Sequence, residues 1–180
     1  GEVRFLALED LEETQYEYNY RIDGTVCLDP YVREIAGHKM FGTGWEFNRH
    51  QTRGRFPQRG YDWEGDKRPQ IPVQDVIAYS LHVRGFTMHS SSRVKHKGTF
   101  LGVREKLPYL KELGINQIKL MPAYEFAEME SVKTHARYRK EEELPKRLNY
   151  WGYTKAFHFA PKRAYAATKD PVREFKDMVK

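Results

Sequence analysis

The sequence predicts an α/β fold in which an antiparallel β half precedes the opening of a larger parallel assembly. Three observations predict it. Apolar residues alternate through roughly the first 45 positions, a strand–helix–strand pattern follows Pro72, and the 180 residues supply only two strands of that second kind.

From Val3 to about Phe47 the period is two, clearest at Tyr16-Glu17-Tyr18-Asn19-Tyr20, where three tyrosines are expected on one strand face. Asp23-Gly24 reads as a tight turn and Val26 to Leu28 as the return strand. Residues 48–74 hold few apolar positions, Gly54, Gly60 and Gly65, and Pro57, Pro69 and Pro72, which suits an extended connector lying on the surface. The division into domains is therefore expected near 70, with 1–70 as the β half and its linker and 71–180 as the parallel part.

Val76 to Val83 reads as a buried strand, with Ile77, Tyr79, Leu81 and Val83 on one face. A polar loop is expected from Met88 to Gly98. A helix follows from Thr99 to Leu113, since Val103, Leu107, Leu110 and Leu113 recur at helical spacing and Gly114 can stop it. Ile115 to Met121 then forms a second apolar strand, ended by Pro122. A strand, a helix and a strand in this order make a βαβ unit with parallel strands. Glu128 to Arg147 is dense in charge and reads as a solvated insertion. Asp170 can cap a last helix with Pro171 in its first turn and an apolar stripe of Val172, Phe175, Met178 and Val179. Two parallel strands neither cover both faces of a sheet nor close it, and a complete (β/α)₈ barrel needs roughly 200 residues or more, so the parallel part is expected to be a piece of something larger. Gly1 in place of a methionine and a stop at Lys180 within the helical pattern agree with that expectation.

Composition excludes several classes. Mean hydropathy is −0.81, and no apolar run approaches the roughly 18 residues of a spanning helix, so no membrane insertion is expected. The net charge is +6, yet bases and acids are mixed along the chain without a basic stripe, so nucleic acid is not expected as a partner. The lone Cys27 excludes an internal disulfide and a cysteine zinc site, and reads as a small buried apolar side chain. The N-terminus carries no address; a bacterial cytoplasmic origin is the expectation.

Several motifs carry a resemblance. His82-Val83-Arg84-Gly85-Phe86-Thr87, Gly98-Thr99-Phe100, Lys106 to Gly114, and Leu120-Met121-Pro122 resemble the start of the α-amylase superfamily barrel. More narrowly they resemble its debranching branch: pullulanase, isoamylase and glycogen-debranching enzymes. Asn149-Tyr150-Trp151-Gly152-Tyr153 is similar to that branch's motif after the second strand. Tyr61 to Asp66 and Arg68 to Pro72 resemble its linker. Tyr20 to Gly24 and Asp29-Pro30-Tyr31 resemble the later part of an isoamylase-type carbohydrate-binding sandwich. Thr154 stands where debranching enzymes commonly carry Asp.

The resemblance implies an incomplete (β/α)₈ TIM barrel, its first two βα segments, preceded by part of an all-β immunoglobulin-like sandwich. It implies retaining hydrolysis of α-1,6 linkages in an α-glucan partner such as pullulan, glycogen or amylopectin. That chemistry needs a nucleophilic carboxylate and a carboxylic acid about 5 to 5.5 Å apart. In the family the nucleophile Asp, the acid Glu and a third supporting Asp lie on strands four, five and seven, beyond the two strands here, so the chain alone is expected to be inactive and to contribute no catalytic residue. Tyr153 is the expected substrate-binding residue, stacking under the sugar at the cleavage point. Trp151 would line the same cleft or pack beneath it. Asn149 could bond sugar hydroxyls, although an Asn beside a Gly-containing turn usually serves the backbone. Tyr16, Tyr18 and Tyr20 could form a glucan platform, but at least part of that face is expected to supply core.

Other patterns fail. Asp62, Glu64 and Asp66 imitate a calcium loop, but Gly65 sits at position four and Val73 where the bidentate Glu belongs. The seven histidines show no metal-ligand spacing. Gly42-Thr43-Gly44 lacks the rest of a phosphate loop, and Ser90-Ser91-Ser92 lacks a nucleophile elbow. No cofactor and no metal are expected. The competing expectation is a noncatalytic α-glucan-binding module. Self-association through uncovered barrel surfaces is expected in either case.

Overall fold

The computed structural model describes residues 7–44, 52–58, 60–131 and 146–180. It is a mixed α/β structure. β1 (Glu17–Tyr18) breaks at Asn19, and β2 (Tyr20–Ile22) forms a hairpin with β3 (Thr25–Cys27). The turn residues Asp23 and Gly24 have φ of 47° and 77°, the left-handed pair that a two-residue hairpin loop needs. β4 (Glu34–Ile35) and β1 both pair antiparallel with β5 (Gly54–Arg55), giving the order β1-β5-β4.

Tyr16 and Tyr20 are exposed, and the part of the tyrosine face that supplies core is Tyr18, stacked on Phe56 with ring centroids 4.6 Å apart. Its hydroxyl donates to Asp29 at 2.6 Å, and burial together with that carboxylate pushes the phenol well above its usual range. The connector, contrary to expectation, is not wholly superficial. Thr52 and Gly54 are buried, because β5 is the central strand of the three. Gly54 is required there, since a Cβ would lie 2.9 Å from both Tyr18 and Val32. Farther on, the linker docks through Tyr61, whose hydroxyl donates to Asp177 at 2.8 Å. Cys27 is half-buried on β3.

β6 (Ala78–Leu81) leads directly into α1 (Val83–Met88), then into α2 (Phe100–Glu105), α3 (Leu107–Glu112) and β7 (Gln117–Leu120). β6 and β7 pair in parallel, with Leu81 opposite Leu120. The first strand is shorter than expected because His82 caps α1: its Nδ1 accepts from the Gly85 amide at 3.0 Å, so Val83 begins a helix and does not end the strand. The helix expected from Thr99 is two helices that break at Lys106, two residues ahead of Pro108 in the first turn of α3. Thr99 caps α2, and its hydroxyl accepts from Gly102 at 3.1 Å.

β8 (Tyr124–Phe126), β9 (Met129–Ser131), β10 (Lys146–Leu148), β11 (Ala156–Pro161) and α4 (Pro171–Val179) complete the order. β10 pairs with β9 and β11 with β8, all antiparallel. Residues 132–145 of the charged insertion lie outside the described residues, as do 1–6 and 45–47 of the alternating half. Glu128, expected to open a solvated insertion, is instead fully buried. Asp170 caps α4 as expected, accepting from Arg173 at 2.8 Å. Glu174 of that helix is 2% exposed, and its carboxylate accepts the amides of Leu101, Ala167 and Thr168 at 3.2, 3.0 and 2.9 Å.

The main core joins Leu81, Val83, Phe100, Val103, Leu110, Phe126, Tyr165 and Met178. A second core joins Val32 and Ile35 of the N-terminal part to Phe157 and Ala160 of β11. Apolar side chains from before and after residue 70 thus leave water together.

Candidate functional site

The site grows from the end of β6. His82 is 6% exposed, and because Nδ1 accepts the Gly85 amide, Nε2 carries the ring proton. Nε2 donates to the Tyr150 carbonyl at 2.9 Å and lies 3.1 Å from the Tyr165 hydroxyl. Burial holds the imidazole below its ordinary pKa against the raising effect of the Tyr150 carbonyl, which keeps this neutral tautomer in place. The Tyr165 phenol is itself held well above its usual range, by burial first and then by nearby Tyr150, Glu128 and Glu125.

The Asn149–Tyr153 turn is built on this base. Tyr150 stacks on His82 with centroids 4.4 Å apart and planes 13° apart. Asn149 is 8% exposed, its amide donates to the Glu128 carbonyl at 2.7 Å, and its Oδ1 accepts from Gly152 at 3.0 Å. Gly152 has φ of 80°, and a Cβ there would lie 2.5 Å from the Phe126 ring and 2.8 Å from Pro122. Only glycine satisfies both the left-handed backbone and that approach.

From this anchored turn two aromatic rings emerge. Tyr153 is 72% exposed at the edge of an apolar cleft of about 390 Å³ lined also by Leu120, Met121, Pro122, Tyr124 and Phe159. Trp151 is 55% exposed and edge-on to both His82 and Tyr150, with centroids at 5.8 and 5.2 Å. Trp151 is not among the residues lining the Tyr153 cleft. Of the three residues expected from the sequence, Tyr153 thus faces an open apolar hollow, Trp151 caps the imidazole, and the Asn149 carbonyl oxygen of the side chain is engaged by the turn backbone.

Beneath the turn lies a group that sequence reasoning missed. His38 Nδ1 is 2.9 Å from Glu125 Oε1 and its Nε2 is 2.8 Å from Glu128 Oε1. Lys162 Nζ reaches the same two oxygens at 3.2 and 3.0 Å, and all four side chains are fully buried. Backbone amides complete the carboxylates: Gly42 donates to Glu128 Oε2 at 2.7 Å and Arg163 to Glu125 Oε2 at 2.8 Å. The ammonium also sits 3.8 Å over the Phe126 ring. Burial alone would depress the His38 pKa, but its hydrogen bonds to both carboxylates raise it above the ordinary value. Burial alone would raise the Glu128 pKa, but His38, Lys162 and the Gly42 amide lower it. Two acids and two bases therefore close a charge-balanced cluster.

The cluster is not an acid–base pair for catalysis. Its carboxylates have no surface open to water or sugar and their oxygens are occupied. What the site offers chemically is an aromatic face beside an apolar hollow, which suits the C–H face of a pyranose ring. No sequence signal marks His38 or Lys162. Glu125 and Glu128 follow β7, and Glu128 opens the segment whose charge density pointed to solvent.

No protein-family model matches the chain. It is 38% identical over 186 residues to isoamylase 1, chloroplastic, of Arabidopsis thaliana, covering 91% of this chain and 23% of that protein. It is 33% identical to the glycogen operon protein GlgX homolog of Haemophilus influenzae, over 93% of this chain and 27% of the relative. Among solved structures, a pullulanase from Bacillus acidopullulyticus superposes with a TM-score of 0.60 at 28% identity, over 91% of this chain and 20% of that one. The Group B Streptococcus pullulanase SAP in complex with maltotetraose gives 0.64 at 25% identity, over 93% and 23%. The chain spans about a quarter of the length of the curated relatives it matches.

Proposed function

The chain belongs to the debranching branch of the α-amylase superfamily, and on that premise we propose that it forms one wall of the glucan cleft of a retaining α-1,6-glucosidase. β6 and β7 with their helices are the first two βα segments of the catalytic barrel, and the N-terminal strands belong to a carbohydrate-binding sandwich. Tyr153 stacks against the sugar ring at the cleavage point, holding it for distortion toward the oxocarbenium-like transition state. Trp151 lies alongside, and Asn149 acts through the turn it closes. The exposed position of Tyr153 on an otherwise anchored turn carries this reading. The glycine-dependent turn and the buried histidine set this ring at the edge of the apolar cleft.

The nucleophile and the acid come from strands outside this chain, so the 180 residues alone bind without cleaving. Purified chain is incubated with pullulan and titrated with maltotetraose. The expected result is saturable, Tyr153-dependent binding and no released reducing ends. Pullulan cleavage by this chain would overturn the inactivity, and absence of binding would remove Tyr153 from the cleft. Binding that persists in Tyr153→Ala but is lost on replacing Tyr20 and Tyr31 would favour a noncatalytic module that binds glucan through the β half. Ile77 and Tyr79, both exposed beside the open parallel pair, are the surface for self-association.

A further inference from the structure

Between β4 and Gly44 the chain has no regular secondary structure, and its backbone passes through left-handed conformations at Gly37, His38 and Gly42 (φ 85°, 33° and 86°). This irregular stretch nevertheless reaches under the aromatic turn at three points. His38 bridges Glu125 and Glu128. The Gly42 amide holds the second oxygen of Glu128. The Phe41 ring stands edge-on to Tyr150 at 5.8 Å, tilted against Tyr165 at 5.8 Å and edge-on to Phe126 at 6.4 Å, with the Arg84 guanidinium 5.0 Å from its centroid. Glu128 transmits the contact, for its side chain is gripped by this segment while its carbonyl accepts the Asn149 amide that opens the turn.

We propose that His38 and Phe41 are positioning residues for the Tyr150–Tyr153 turn, so that a segment from the N-terminal part sets the direction in which Trp151 and Tyr153 meet the glucan. Phe41, itself in contact with the Phe126 and Tyr165 rings, fixes Tyr150 edge-on, and His38 fixes the carboxylate of the residue whose carbonyl holds the start of the turn. A small rotation of Glu128 is passed to Asn149 through a 2.7 Å hydrogen bond and thence to the exposed rings. The N-terminal part then contributes to glucan recognition without touching sugar. This rests on the glucan-facing reading of the turn.

The test uses the 180-residue chain labelled with 5-fluorotryptophan, with the Trp151 fluorine resonance assigned by its loss in Trp151→Phe. In His38→Gln and in Phe41→Leu the Trp151 resonance is expected to shift or broaden while that of Trp63 stays in place. Maltotetraose affinity is expected to fall about tenfold. Phe41→Tyr, which keeps the ring, is expected to restore the resonance. An unmoved Trp151 resonance in both variants overturns the positioning role, and so does global unfolding of both. If unsubstituted chain fails to bind maltotetraose while the Trp151 resonance still responds, the glucan reading fails and the positioning role stands.

Discussion

His82 and Tyr150 lie face to face, 4.4 Å apart, and are joined a second time by the hydrogen bond from the imidazole to the tyrosine carbonyl. One side chain thus starts α1 and seats the aromatic turn 68 residues later. His82→Ala removes the helix cap and leaves the buried Tyr150 carbonyl and Tyr165 hydroxyl without this partner. A loss of about 2–4 kcal/mol is expected, read from urea unfolding, together with a blue-to-red shift of tryptophan emission as Trp151 loses its seat. His82→Asn, which can cap but cannot reach Tyr150, is expected to recover only part of the loss.

Gly152 gives a sharper case, because its backbone and its surroundings both reject a side chain. Gly152→Ala is expected to cost at least about 2 kcal/mol, whereas Gly60→Ala, with a similar φ of 78° but open space around it, is expected to cost about 1 kcal/mol. Thermal melts of the two variants side by side check the difference. Equal losses would mean that Phe126 yields to the new methyl group.

Lys162→Met leaves Glu125 and Glu128 buried with His38 as their only cationic side-chain partner among the described residues. A loss of about 3–5 kcal/mol is expected. Lys162→Met combined with Glu125→Gln removes one charge of each sign and is expected to recover a substantial part of that loss. The double-mutant cycle measures it.

The two buried histidines give opposite pH dependences. The His38 pKa is raised on folding, so its contribution is fully present below 6.5 and is lost as pH rises through the folded value. The groups facing it are Glu125, Glu128 and Lys162. The His82 pKa is lowered on folding, so its contribution is present above 6.5 and is lost as pH falls through the folded value. Unfolding free energy plotted against pH is expected to decline on both sides of neutrality. His38→Gln flattens the alkaline limb selectively, and His82→Asn the acidic limb below pH 6.5.

Tyr153→Ala separates binding from folding. With 72% of the residue exposed, stability is expected to change by no more than about 0.5 kcal/mol. Maltotetraose affinity is expected to fall about tenfold, or 1.4 kcal/mol. Isothermal titration and a melt of the same sample check both, and a variant that binds normally would place the sugar elsewhere.

Much of the secondary structure was legible because local chemistry decides it. Asp170 caps the helix it was placed to cap, a helix starts where expected at Thr99, Asp23-Gly24 turns the hairpin, and the apolar runs around Tyr79 and Ile118 pair in parallel. The turn motif was legible as well, since Gly152 leaves a mark that no other residue can replace. The single strand expected through Tyr16, Tyr18 and Tyr20 was misread because alternation describes one uninterrupted strand, and Asn19 divides this one between two partners.

The sequence by itself determined the hairpin turn, the parallel strand pair, the cap of the last helix and which aromatic residues stand on the turn, for these depend on propensities and caps a few residues apart. Only the tertiary structure decided that Glu128 lies in a sealed charge cluster and not in solvent, that His38 and Phe41 come from 86 or more residues away to hold it and the turn, and that Tyr153 is left open. A carboxylate is as well satisfied by water as by an imidazole and an ammonium. Which of these it meets depends on neighbours that chain folding brings together, and spacing along the chain carries no record of them.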